Sequence, residues 1–210
     1  MFLEKNREIV CLVGKKVVPL QIKWNKKNMP EYDVALELAR LHIMKGADFI
    51  RQLKQLVSLS IFKPVENEKD IYAAEGCHRD DFPMLVDAAR KAVAHGNIVY
   101  ILPNPQGIRT ADFIFVNKGV YKMYDLKTIH GKSSVMNRLL ESVGQTNHVL
   151  LNIAVTYNAR LLAKDISSYF NINPDAFEVL VYKGTKSIQV KRKAAMDKDF
   201  VKKFMFLYNK

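Results

Sequence analysis

The sequence predicts a mixed α/β (α+β) fold: a mixed central sheet flanked by helices, with a small N-terminal hairpin-plus-helices unit ahead of it. Three observations carry that expectation. The apolar runs NIVYIL at 97–102 and HVLLNIAV at 148–155 read as strands buried on both faces. The stretch ADFIFVNKGVYKMYDLK at 111–127 reads as a β-hairpin turning at Asn117-Lys118-Gly119. From residue 83 onward the elements then follow the order α, β, β, β, α, β, α, β, which packs naturally as a mixed sheet between helices.

Taken in order, residues 8–13 and 16–23 form two short strand-like runs around Gly14-Lys15, with Pro19 placing the second at a sheet edge. A helix begins near Pro30, with Val34, Leu38 and Leu41 on one stripe and Gly46 closing it, and Trp24 packs between hairpin and helix. A second helix over 48–59 buries Ile50, Leu53, Leu56 and Val57 and turns Arg51, Lys54 and Gln55 outward. The polar segment KPVENEKD at 63–70 has no apolar period and marks a boundary, dividing the chain into 1–66 and 67–210. Asp80 or Asp81 then caps a helix over 83–95 whose stripe is Leu85, Ala88, Ala89, Ala92 and Val93, with Gly96 as its stop. After the strand at 97–102, a loop over 103–109 feeds the hairpin. Further helices are expected over 133–147 and 158–170, then a strand over 178–182. The closing amphipathic helix carries Val201, Phe204, Leu207 and Tyr208 inward and lysines outward.

The 33 Lys and Arg outweigh 21 Asp and Glu, giving a formal charge of +12 spread along the chain. That balance favours a polyanionic partner, most simply nucleic acid; the alternative is a basic protein whose lysines only solvate its surface. Cys11 and Cys77 are the only cysteines and form no CxxC, which fits a reducing compartment and excludes a disulfide framework. The opening MFLEKNREIV carries charges where a signal peptide needs an apolar run, and no window approaches the ~18 apolar residues of a membrane span, so a cytoplasmic, non-membrane protein is expected. No Gly-rich phosphate loop or dinucleotide fingerprint is present.

The chemistry concentrates around the hairpin. Asp125 and Lys127 are two apart on its second strand and share a face, while Val120, Lys122 and Tyr124 take the other. Asp125 lies between Tyr124 and Leu126, where a carboxylate is costly unless paired. A salt bridge to Lys127 or Arg109 answers that cost structurally; a divalent cation held with Asp112 answers it functionally. In the helix over 133–147, Val135, Met136, Leu139, Leu140 and Val143 make the apolar face. Ser134, Arg138 and Gln145 lie to another side, Arg138 and Gln145 nearly in register. Cys77-His78 lacks a second ligand pair, and His130 beside Gly131-Lys132 is either a phosphate contact or a solvated loop residue.

Asp112, a strand-turn-strand, Asp125-Leu126-Lys127 and a following helix with Gln145 together resemble the PD-(D/E)XK nuclease superfamily, over about residues 71–190. Within it the chain looks most like the C-terminal tRNase domains of contact-dependent growth inhibition toxins and related mobile-element nucleases, where a Gly-stopped helix leads into a strand ending Leu-Pro, as His95-Gly96 and Leu102-Pro103 do here. Ala111 stands where that family often has Pro, and Asp125 where Glu is common. The resemblance implies a nuclease fold over 67–210 and Mg²⁺-dependent (or Mn²⁺-dependent) hydrolysis of nucleic acid, RNA and possibly tRNA ahead of DNA. Its metal ligands would be Asp112, Asp125 and the Leu126 carbonyl, with Lys127, Arg138 and Gln145 as catalytic groups. A further helix acid is expected from Asp81, taken first, or from Asp87 or Glu75. A toxin-like nuclease also implies an immunity or inhibitor protein as partner. The readings in other classes are a nucleic-acid-binding protein that keeps the fold without catalysis, and an assembly protein whose N-terminal part oligomerises.

Overall fold

The computed structural model describes residues 9–13, 16–20, 34, 37–38, 40–41, 44–74, 80–105, 109–131 and 135–210. Strands β1 (Ile9–Val13) and β2 (Lys16–Leu20) pair antiparallel as a separate two-stranded sheet, as their alternating patterns predict. Val34, Leu38 and Leu41 are helical and buried, in keeping with the expected stripe. The start of that helix, Trp24, the Gly14-Lys15 turn, Glu75, Cys77-His78, Lys132 and Ser134 lie outside the described residues.

The rest is one eight-stranded mixed sheet. Helix α1 (Gly46–Val57) precedes β3 (Phe62–Pro64) and β4 (Ile71–Ala74). Helix α2 (Phe82–Ala94) leads to β5 (Ile98–Ile101), β6 (Phe113–Asn117) and β7 (Val120–Ile129). Helix α3 (Val135–Glu141), β8 (His148–Ile153), α4 (Ala159–Ile172), β9 (Glu178–Lys183) and β10 (Lys186–Lys191) follow, and the short α5 (Arg192–Ala195) and α6 (Phe200–Asn209) complete the described chain. Spatial order runs from β3 to β10 without a permutation. The pairs β4–β5, β7–β8 and β8–β9 are parallel, each bridged by one helix (α2, α3 and α4 in turn), whereas the tight hairpins β3–β4, β6–β7 and β9–β10 are antiparallel, as is β5–β6.

Alternation along the strands assigns the two faces. Phe113 and Phe115 of β6 pack with Leu85, Ala88, Ala89 and Ala92 of α2. Ile114, between them, faces Leu53 and Leu56 of α1 on the other side. Val149 and Leu151 of β8 likewise meet α3, α4 and α6. Helix α2 therefore covers one face alone. Ala88, Ala89 and Ala92 are fully buried, so the helix sits close on the sheet, and this closeness brings its N-terminal turn to the end of β7.

Several expected boundaries move. The polar run at 63–70, expected to separate two units, instead forms the β3–β4 hairpin inside the main sheet, with Asn67 and Asp70 in the left-handed region that tight turns require. β3 and α1 thereby share a core with β6 and β7. The helix expected over 133–147 stops at Glu141: the next amides bond three residues back, and Gly144 at φ +85° turns the chain away. The segment after residue 183 is a strand, β10, closed by the Gly184 turn. In α6 the buried stripe is Phe200, Phe204 and Tyr208, while Leu207 faces out. No helix among the described residues is long and apolar enough to cross a membrane.

Candidate active site

The hairpin β6–β7 sets the geometry. Its turn has Lys118 at φ +48° and Gly119 at φ +79°, so Asn117 pairs with Val120 and the register is fixed by a two-residue loop of the primed type. Counting back from the loop, Phe113 opposite Tyr124 is the last pair of the ladder, and one residue further the Asp112 carboxyl adjoins that of Asp125. There the strands part. Asp112 N–H still donates to Tyr124 O at 2.9 Å, but the chain before it turns to β5, where Leu102 N–H donates to Asp112 O at 2.8 Å. β7 runs on to Ile129, paired there only with β8. A cleft of about 290 Å³ opens at this fork, lined by Asp112, Leu126, Lys127, Thr128 and His130 from the hairpin side, Asp81, Met84 and Leu85 from α2, and Arg138 and Glu141 from α3.

The carboxylates are held tightly. Asp125 is 1% exposed, and Lys127 Nζ lies 3.1 Å from its Oδ1 and 2.9 Å from its Oδ2. The Oδ2 contact is an ion pair without hydrogen-bond geometry, so this oxygen makes no hydrogen bond among the described residues. Asp112 Oδ2 accepts the Leu126 N–H at 2.6 Å, which ties the carboxylate across the fork. Burial first, and the Asp125 carboxylate second, push Asp112 up to about 7, against the lowering pull of the Leu126 amide and Lys127. Two carboxylates sharing a site with one ammonium leave a demand for a proton or a further cation. Hard oxygens under that demand suit a small divalent ion. Among the described residues no three His, Cys, Asp or Glu side chains converge as a metal cage.

The fold thus brings Asp112, Leu126, Lys127, Arg138 and Asp81 to one cleft, with Asp125 buried beneath it. Two expected residues are elsewhere. Gln145 lies past the end of α3, where its Nε2 donates to the Glu141 carbonyl at 3.1 Å; the register with Arg138 fails because the helix ends first. Asp87 is turned toward β8, accepting from Lys91 at 2.8 Å and from Asn152 at 3.3 Å. Glu141 lines the cleft and is not among the expected residues; Gly144, read as a helix stop, would point to 138 and 141 as the cleft-facing positions of the helix. His130, exposed, lines the cleft as well.

The opposite face of the same strands holds a second charged group. Glu178 of β9 is fully buried and accepts from Tyr124 Oη at 2.5 Å, Lys122 Nζ at 2.7 Å and Gln189 Nε2 at 2.7 Å. Burial raises its pKa, but the Lys122 and Tyr124 bonds outweigh that and hold the carboxyl below its usual range. Burial also lowers the neighbouring His148 to about 4, leaving it neutral. β7 is therefore anchored by charge on both faces, at Lys122 and Tyr124 on one and Asp125 and Lys127 on the other. Neither a family model, nor a curated protein, nor a solved structure matches this chain.

Proposed function

We propose that the cleft at the β6–β7 fork is the active centre of a divalent-metal-dependent nuclease that hydrolyses phosphodiester bonds. The observation that carries the reading is the adjacency of the Asp112 and Asp125 carboxyls at the fork, with Lys127 paired to Asp125 and a basic chain around them. Asp112 and Asp125, with the Leu126 carbonyl, are the oxygens suited to Mg²⁺ or Mn²⁺. Bound there, such an ion supplies Lewis acidity and a water of lowered pKa. Lys127 adds fixed positive charge where a phosphoryl oxygen gains negative charge, and Asp125 holds that ammonium in place at about 3 Å. Arg138, half-exposed at the mouth, offers a planar fork of donors to a phosphate. The charge of +12 supports a polyanionic substrate. RNA, tRNA included, stands ahead of DNA on the toxin-domain resemblance, which also suggests a neutralising protein partner.

The test is a panel of RNA and DNA substrates incubated with Mg²⁺ and resolved on a gel. Fragments that disappear with EDTA are expected, and Asp125→Ala or Lys127→Ala is expected to lower the rate by at least about 10²-fold with the circular dichroism spectrum unchanged. A wild-type rate in either variant overturns the assignment. A salt-dependent mobility shift without products supports the non-catalytic binding protein instead.

A further inference from the structure

Arg138 and Glu141 face the cleft from the last turn of α3, one turn apart and joined by an ion pair with Arg138 Nη1 3.0 and 3.4 Å from the two Glu141 oxygens. Both side chains are about half exposed, 47% and 48%. A pair in such a position contributes little to folding and is readily exchanged for better partners. Neither residue is needed to bury the helix, since Val135 and Leu139 do that. The same wall of the cleft thus presents one cation and one carboxylate, each tying up the other, across from Asp112 and Lys127.

Resting on the nuclease reading of this cleft, we propose that Arg138 and Glu141 exchange partners when substrate enters: Arg138 takes the phosphate, and the released Glu141 carboxylate turns to the divalent cation beside Asp112. In the free protein Glu141 is held on Arg138, which accounts for the lack of a three-acid cage among the described residues. A guanidinium leaves a single half-exposed carboxylate for a bidentate phosphate at little cost, because both bonds to the phosphate are charge-assisted. Glu141, with three side-chain torsions and no other bond among those described for its side chain, then adds a third hard oxygen donor. Cation and nucleic acid are coupled through one ion pair, so each strengthens the binding of the other.

Mn²⁺ titration followed by electron paramagnetic resonance, on the full chain without nucleic acid, separates this exchange from simple field effects. Arg138→Ala should bind Mn²⁺ severalfold tighter than wild type, because Glu141 is no longer held, and Glu141→Gln should bind no better than wild type. In the double variant the gain from removing Arg138 should vanish. Long-range charge alone predicts that the two effects add, with the full gain retained in the Glu141→Gln background, and that result overturns the proposal. Asp81→Asn, at the same cleft mouth, should leave the Arg138→Ala gain in place; loss of the gain there also overturns it. A short RNA added to wild type should tighten Mn²⁺ binding and should fail to do so in Glu141→Gln. If Asp112→Asn and Asp125→Asn leave Mn²⁺ affinity at the wild-type value, the metal-site reading itself falls; if they abolish binding while the cycle is additive, only the exchange falls.

Discussion

At the scale of single residues the cleft is governed by Asp112. Its carboxyl, raised by burial and by Asp125 to about 7, keeps a proton in the folded protein that the unfolded chain has released above about 4. The folded state binds more protons between those values, so its stability is complete below about 4 and declines as pH rises toward 7. Thermal unfolding in EDTA should therefore give a lower midpoint at pH 8 than at pH 5, by a few degrees. Asp112→Asn should flatten that part of the profile, and an unchanged slope in the variant counts against Asp112 as its source. Mg²⁺ should raise the wild-type midpoint more at pH 8, where the carboxylate is ionised, than at pH 5. Asp125 and Lys127 were legible as a pair because a carboxylate inside an apolar strand needs a partner. Glu178 was not, since its partners Lys122 and Tyr124 lie more than fifty residues away in sequence.

At the scale of elements, the hairpin turn decides whether the two carboxylates meet. A slip of one residue between β6 and β7 would turn Asp112 and Asp125 to opposite faces. The left-handed conformation of Gly119 protects against that. A Cβ there would meet no atom within 4 Å, so Gly119→Ala tests the backbone conformation alone. It should cost about 1–2 kcal/mol in chemical denaturation and lower cleavage in proportion to any loss of register. Lys118→Asn, better suited to φ +48°, should stabilise by up to about 1 kcal/mol. A neutral Gly119→Ala would show that the turn is not holding the register. Periodicity gave away the long elements: β8 and α4 fall within about two residues of their expected bounds. It failed where local chemistry competes with tertiary pairing. The run at 63–70 looks like a linker by composition and is a hairpin because β4 finds β5.

At the scale of the whole molecule, charge and sheet order matter most. Residues 158–210 hold eleven Lys and Arg against five Asp and Glu, and Lys202 and Lys203 lie on the outer side of α6 with Phe206, with Lys210 exposed just past its end. Affinity for RNA in EDTA, measured by filter binding, should fall linearly on a log–log plot against salt. Lys202→Glu with Lys203→Glu should make that slope shallower while leaving the Mn²⁺ affinity of the cleft unchanged; an unaltered slope places the nucleic-acid contacts elsewhere. The composition points toward a polyanionic partner but not to the face that would receive one, because the basic residues are spread along the chain and not massed in one segment. The unpermuted order of the sheet has a mechanical consequence. Each strand from β3 to β10 lies beside its neighbours in the chain, so a pull on the C-terminal end detaches α6, β10, β9 and β8 in succession before it loads the β6–β7 fork. Under an unfolding ATPase engaging that end, the carboxylate pair would come apart only after those three strands, midway through the sheet.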